Sequence, residues 1–537
     1  MTRRWSGYSG IFFDDYDSNS AWIREVGVVR LPPLGAATTL VLEGERRVIP
    51  ETQGSERGFP SLECHVDGRL VGVVSGEKAG RWQIKLPVPA ATSAEGAMLE
   101  FRLRGVRWTN LLAWAGRITK AGSLQRFRAQ RKNRQLRLHR LLTEHGEIVY
   151  DFSNRHAPYS PAFARAHATL GLNIVGFLTA DLGVGESARC MVRAADAATL
   201  PAALVDLKLN VKNRRGDPTY AARLQETAPH PVSVFHLDPP AARDIDHHHG
   251  RAFRAGRYNV AYWAWELPEF PPAWATYCQY FDEIWCPSDF VREAVAMQAP
   301  VPVLTMPHAI AFERPSETTA ELRARLGLPP ERLLYLFVYD LNSYSPRKNP
   351  EAVIAAFREA RVADQGAALV IKTHNVGGNE SDLAALRRAV ADLPSCTIID
   401  STLSRADTYR LQAACDVFVS LHRSEGFGLS VAESMFLGKP VITTNWSATA
   451  EYADASNAAP VNCRLVPLER NIGPYAKGQI WAEPEIGHAA SWIARLAGEP
   501  GLRARLGAAA RATIERRFAP AVVGARYRRR LEAIATR

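Results

Sequence analysis

Short runs of alternating apolar and polar residues, broken by turn residues, fill the front of the chain: 26–31, 38–43, 61–66, 69–74, 81–86 and 98–103. Such spacing predicts an all-β sandwich over residues 1–105, of a kind that could bind carbohydrate. From residue 170 the rhythm changes. Buried-strand candidates at 172–178, 231–236, 258–263, 281–288 and 301–308 alternate with helical stretches, which predicts a Rossmann-like domain over 169–312. The same alternation resumes at 333–339, 368–372, 396–400 and 416–421, predicting a second such domain over 313–500, with basic helices over 501–537 that pack back on the first. Residues 106–168 read as a basic helical linker.

Around residue 421 the pattern is strand, loop and helix. Gly426 and Gly428 let the backbone approach a ligand, and a helix beginning near Gly428 points its free N–H groups and positive dipole end at the loop. An anion belongs there. Gly438 and Pro440 stop the helix after about ten residues. Glu425 and Glu433 frame the turn and would accept hydrogen bonds from hydroxyl groups at different parts of an elongated ligand, as a nucleotide sugar requires. Alone, the two glutamates would be a solvated loop residue and a helix-surface residue; the surrounding strand, glycines and helix stop favour the ligand.

Ser424-Glu425-Gly426-Phe427-Gly428 through Glu433, followed by Gly438-Lys439-Pro440-Val441-Ile442, resembles the donor-binding motif of the retaining glycosyltransferases of family 4. The resemblance runs from about residue 170 to the end of the chain and is closest over 339–440. It implies an α/β chain of GT-B architecture, with two Rossmann-like domains facing a cleft and here preceded by the all-β sandwich. It places Glu425 beside the transferred sugar, Glu433 on the ribose hydroxyls, and the backbone of Gly426, Phe427, Gly428 and Leu429 against sugar and diphosphate. A basic pair, here Arg347 and Lys348, would neutralise the leaving diphosphate. The family's usual arginine several residues ahead of the lysine has no counterpart, its place falling near Asn342, and Arg347 substitutes. The loop after Asp400 would hold the base. No protein nucleophile, metal or other cofactor is implied; the nucleotide diphosphate sugar is a co-substrate.

In the first Rossmann-like domain, Gly183, Gly185 and Glu186 open a helix after the first strand, and Glu266 follows a later strand; all four are candidate cleft residues. Capping alone could also explain the glycine loop. The glycine- and aromatic-rich loop 472–484 either shapes the donor pocket or simply packs. Asp14-Asp15-Tyr16-Asp17 reads as a solvated turn, and the histidines at 247–249 as polar surface, so no metal site is expected.

A net charge of +11 favours anionic partners. Nine basic residues between 117 and 140, with no acidic one and with Trp108 and Trp114 upstream, fit an anionic membrane surface, a solvated linker helix or nucleic acid. Phe127 is the only aromatic within that run, which argues against nucleic acid. Seven dispersed cysteines without a C-x-x-C pair suit a reducing cytoplasm. The first residues lack the apolar core of a signal peptide, and no run of about 18 apolar residues is present, so a soluble or peripheral protein is expected. The expected activity is transfer of a hexose, such as mannose, to a glycan or lipid-linked oligosaccharide in bacterial surface polysaccharide synthesis. The alternatives are a non-catalytic polysaccharide-binding scaffold and a nucleic-acid-binding protein.

Overall fold

A computed structural model describes residues 8–13, 21–31, 37–47, 60–76, 78–89, 97–104, 136–152, 170–211, 213–250, 253–255 and 257–535. Asp14 to Asp17, Trp108, Trp114, Phe127 and most of the basic run lie outside them.

The front of the chain folds into one antiparallel sheet of nine strands: β1 (Tyr8–Phe13), β2 (Ala21–Arg30), β3 (Thr38–Arg46), β4 (Ser61–Val66), β5 (Arg69–Val74), β6 (Gly80–Val88), β7 (Met98–Arg104), β8 (Leu136–Thr143) and β9 (Ile148–Asp151). Its order is β5-β4-β7-β2-β8-β3-β6, with β1 on β2 and β9 on β8. The two end strands, β5 and β6, pack against each other. Residues 136–151 therefore correct the expectation of a helical linker. Leu136 and Leu138 alternate with Arg137 and His139 at the two-residue period of a strand, and both leucines are fully buried. The basic composition hid that alternation. β8 is inserted between β2 and β3, and the core of this sheet runs on into that of the next.

The first parallel sheet contains β10 (Leu172–Gly176), β11 (Ala202–Asp206), β12 (Val232–His236), β13 (Tyr258–Tyr262), β14 (Glu283–Cys286) and β15 (Val303–Thr305), in the order β11-β10-β12-β13-β14-β15. Every residue of β10, β12, β13 and β14 is buried, as strands covered on both faces must be. Polar interruptions are satisfied internally: Asn173 donates to Ser233 Oγ at 2.9 Å and to the His230 carbonyl at 2.7 Å. The second sheet contains β16 (Leu333–Asp340), β17 (Ala367–His374), β18 (Cys396–Ile399), β19 (Val417–Ser420), β20 (Val441–Thr444) and β21 (Ala459–Val461), in the order β18-β17-β16-β19-β20-β21. A hairpin, β22 (Cys463–Pro467) with β23 (Ile480–Pro484), follows; the expected loop 472–484 is its turn and second strand.

Chain direction across each sheet reverses at one place, between β10 and β12 in the first and between β16 and β19 in the second. Open parallel sheets leave a crevice at such points, beyond the C-terminal ends of their strands. The helices that matter for the crevices are α1 (Gly183–Ala197), α2 (Asp289–Ala296), α3 (Pro350–Glu359), α4 (Arg405–Ala414) and α5 (Leu429–Phe436). The two crevices face each other across a cleft, giving the GT-B architecture.

The basic C-terminal segment divides its packing. α6 (Pro500–Phe518) lies on α5 of the second domain, where Arg511 donates to the Leu437 carbonyl at 3.0 Å. Only α7 (Pro520–Ala535) returns to the first domain, against α1; Tyr527 stacks on Trp285 at 5.4 Å, and Arg530 pairs with the buried Glu283. Among the described residues no helix is long and apolar enough to cross a membrane.

Candidate active site

The loops at both switch points enclose a cavity of ≈ 480 Å³. From the second domain, β16 ends at Asp340, and a short helix, Ser345–Lys348, delivers Arg347 and Lys348 before α3 begins. β19 leads into the loop of Glu425 to Gly428. Gly428 has φ +82°, and α5 starts directly after it with no side chain capping its N–H groups. A Cβ on Gly426 would lie 2.8 Å from the Trp265 carbonyl of the facing domain, so glycine is required by that approach. The loop is fixed from behind: the Glu425 N–H donates to Ser447 Oγ at 2.9 Å, and Tyr452 Oη donates to the Phe427 carbonyl at 2.8 Å. His422 lies between Ser420 Oγ at 2.9 Å and Thr449 Oγ1 at 3.1 Å; burial pushes it down to about 4, so it is neutral at physiological pH.

Two ion clusters divide the floor of the cavity. In the first, Lys348 Nζ pairs with Glu425 Oε1, Arg347 Nη1 lies 3.4 Å from Glu425 Oε2, and Arg347 Nη2 lies 3.7 Å from Glu266 Oε1 of the first domain. Arg347 Nη1 also donates to the Ser424 carbonyl at 2.9 Å, and Tyr475 Oη to Glu266 Oε2 at 2.9 Å. Burial disfavours ionisation of Glu425, but the charges of Lys348 and Arg347 outweigh it and hold the carboxyl down at about 2. Burial lowers the Lys348 ammonium, against the attraction of Glu425.

In the second cluster, Arg405 at the start of α4 pairs with Glu433 Oε1, lies 3.6 Å from Glu186 Oε2 and stacks over Tyr409. Glu186 also takes Arg193 at 2.6 Å and Arg189 at 2.8 Å. Burial opposes its charge, yet Arg405, Arg193 and Arg189 hold it well below the carboxylate range. Glu433 differs: burial raises it, and the pull of Arg405 is partly cancelled by Glu186.

Arg347, Lys348, Glu425, Gly426, Phe427, Gly428, Leu429, Glu433, Gly183, Glu186 and Glu266 all line this one cavity. Gly185 does not. A Cβ there would meet the Phe177 carbonyl at 2.5 Å and the Ala180 carbonyl at 2.8 Å, so that glycine serves packing of α1 on its own loop. The Phe427 ring packs against His308, Tyr452 and Phe518, leaving its backbone to face the cavity.

The sequence reading missed Arg405, Lys372, Asp238 and His308, which also line it. Lys372 Nζ donates to the Thr373 carbonyl at 2.6 Å, and burial pulls the ammonium down to about 8. A lysine closing the apolar run of residues 367–371, as Lys372 does, was the available signal; Arg405, in a polar helix start, gave none.

Residues 318–461 match the family model described as Glycosyl transferases group 1. The alpha-monoglucosyldiacylglycerol synthase of Streptococcus pneumoniae is 29% identical over 168 residues, 30% of this chain and 37% of that protein. The D-inositol 3-phosphate glycosyltransferase of Streptomyces bingchenggensis is 32% identical over 222 residues, 38% of this chain and 41% of that protein. The chain thus spans well under half the length of these curated relatives. Among solved structures, Anabaena HepE in complex with UDP and glucose gives a TM-score of 0.49 at 13% identity, over 68% of this chain and 100% of that one. Sucrose-phosphate synthase from Thermosynechococcus elongatus gives the same TM-score, 0.49, at 13% identity. The segment that carries Arg347, Lys348, Glu425 and Glu433 is therefore the one that matches the Glycosyl transferases group 1 model.

Proposed function

We propose that this protein is a retaining glycosyltransferase that moves a hexose, such as mannose, from a nucleotide diphosphate sugar to a glycan or lipid-linked oligosaccharide in surface polysaccharide synthesis. The observation that carries the reading is the convergence of Lys348, Arg347 and the uncapped start of α5 on one cavity at the switch point of the second sheet. Cations and N–H groups aimed at one place suit a diphosphate that gains charge as its bond to the sugar breaks, which is the main contribution expected of such a site. The names of the two curated relatives support glycosyl transfer as the reaction class and differ in acceptor.

In this reading the acceptor hydroxyl attacks the anomeric carbon from the face that the diphosphate leaves. The carbon–oxygen bond to the phosphate breaks as the new one forms, and a phosphate oxygen takes the acceptor's proton. Lys348 turns from Glu425 to the leaving phosphate, and Glu425 is freed to accept a sugar hydroxyl. Glu433 exchanges Arg405 for the ribose hydroxyls. Cations and helix N–H groups occupy the role a metal would otherwise have. The basic run between 117 and 140 supports a cytoplasmic protein that docks on the inner face of the plasma membrane; absence of binding to anionic vesicles at low salt would remove that part.

The test is a thermal-shift screen of nucleotide diphosphates and their sugars on wild type and Glu433→Ala. One nucleotide should stabilise the wild type selectively, and the variant should bind it about tenfold or more weakly, the loss expected for hydrogen bonds to a charged group. No stabilisation of folded protein by any donor would leave the polysaccharide-binding scaffold as the better reading.

A further inference from the structure

The first domain's side of the cleft has a chemistry that the donor does not use. Glu186 is already matched to Arg189, Arg193 and Arg405, whereas Asp238, which is exposed, and the half-buried Glu266 follow β12 and β13 and line the same cavity. Asp238 lines the cavity beside that domain's switch point and has no side-chain hydrogen-bond partner among the described residues. One Glu266 oxygen takes Tyr475, and the other lies 3.7 Å from Arg347. Across from them, Tyr344 is held with φ 63°, rare for a non-glycine residue, and its ring rests on Gly473, where a Cβ would come within 2.2 Å of it. Tyr475 packs on it edge to face at 5.5 Å. Tyr344 is nevertheless 38% exposed, at the edge of the cavity beside the lining residues Asn342 and Ser343, and Tyr475, which joins it to Glu266, sets it next to that carboxylate.

An immobilised aromatic face beside two acceptor-only carboxylates matches a ring of C–H bonds edged with hydroxyl donors. The same pair disfavours a phosphate or carboxylate, and the cation beside it, Arg347, is already shared between Glu266 and Glu425. Desolvation, with a smaller contribution from the charge of Glu266, pushes Asp238 up to about 6. We infer that Tyr344, Asp238 and Glu266 form an acceptor subsite that takes a neutral sugar and rejects a phosphorylated one. This rests on the glycosyltransferase reading above.

The experiment uses the full chain with the nucleotide diphosphate chosen by thermal shift. Binding of methyl α-glucoside and methyl α-mannoside, against glucose 6-phosphate and inositol 3-phosphate, is read by saturation-transfer NMR, which needs no turnover. Nucleotide release from the matching donor is read in parallel. A neutral glycoside should bind and accelerate release, and the phosphorylated sugars should do neither. Tyr344→Ala should raise the glycoside KM tenfold or more, and Tyr344→Phe, which keeps the ring, less than threefold. Asp238→Asn should narrow the gap between neutral and phosphorylated sugars. The nucleotide-induced Tm shift reports whether fold and donor site survive in each variant. A preference for the phosphorylated sugars, no glycoside binding, or an unchanged KM in Tyr344→Ala would overturn the subsite. Glycoside binding that is lost in Tyr344→Ala, without any nucleotide release, would instead sink the transferase reading and leave these residues as a neutral-sugar site with no acceptor role.

Discussion

Arg405 and Glu186 face each other across the cleft, with Nε 3.6 Å from Oε2, and the same guanidinium holds Glu433. One side chain of the second domain thus neutralises a carboxylate of each. Replacing it with glutamine leaves two buried carboxylates facing each other. Glu433, already raised by burial and by Glu186, rises further. In Arg405→Gln the affinity for the nucleotide diphosphate should therefore become more pH-dependent, strengthening as pH rises and Glu433 ionises, while wild type changes less. Calorimetric titration at three pH values reads this, and parallel pH profiles would remove Arg405 from donor binding.

Lys348 tests the electrostatic core of the mechanism. Its side chain is largely enclosed and, among the described residues, forms its ion pair with Glu425 alone, so in the proposed reaction it can turn to the leaving phosphate. Loss of one such preorganised charge costs on the order of 10²–10³ in rate. Lys348→Ala should lose that much kcat with a smaller rise in donor KM. A wild-type kcat with only a raised KM would mean that Lys348 contributes uniform binding and nothing specific to the transition state.

Much of this arrangement was legible because buried parallel strands write themselves as apolar runs, and glycine and proline mark the ends of α5. The β16 and β19 loops were found for that reason. β8 was not, since its leucines also suit a helix face and the arginines between them looked like a charged linker. Nor could sequence spacing bring Arg405 to Glu186, because that contact depends on how two separately folded sheets face each other. The hairpin of β22 and β23 was missed where glycines and aromatics in its turn outweighed the short strands.

Acid should act through Glu425. Its folded value of about 2 lies below the ordinary 4.5, so its ion pair contributes stability that is fully present above pH 4.5 and is lost as pH falls from there toward 2. Glu425→Gln leaves Lys348 buried without its partner and should cost about 3 kcal/mol at pH 7. The difference in Tm between wild type and Glu425→Gln should shrink steadily between pH 4.5 and pH 2. A gap that stays constant over that window would place the stabilisation elsewhere.

Closure of the cleft has its own fastening, away from the cavity. Glu451 of the second domain accepts the N–H groups of Asp289 at 3.1 Å and Phe290 at 2.7 Å, the first turn of α2 in the first domain. Ser288 caps α2 through its own Oγ and donates the same hydroxyl to the Gly426 carbonyl at 2.7 Å. A carboxylate from one domain thus completes a helix of the other, favoured by both hydrogen bonding and the helix dipole. Such a cap is worth about 1 kcal/mol, or about fivefold in the balance between closed and open forms. Glu451→Ala should raise the radius of gyration of the ligand-free protein in small-angle scattering and raise donor KM by a similar factor, with kcat largely kept. Saturating nucleotide should restore the compact form, because binding that joins both walls of the cleft draws on the same equilibrium. If scattering were unchanged while Tm fell, Glu451 would be holding α2 in place and not closing the domains.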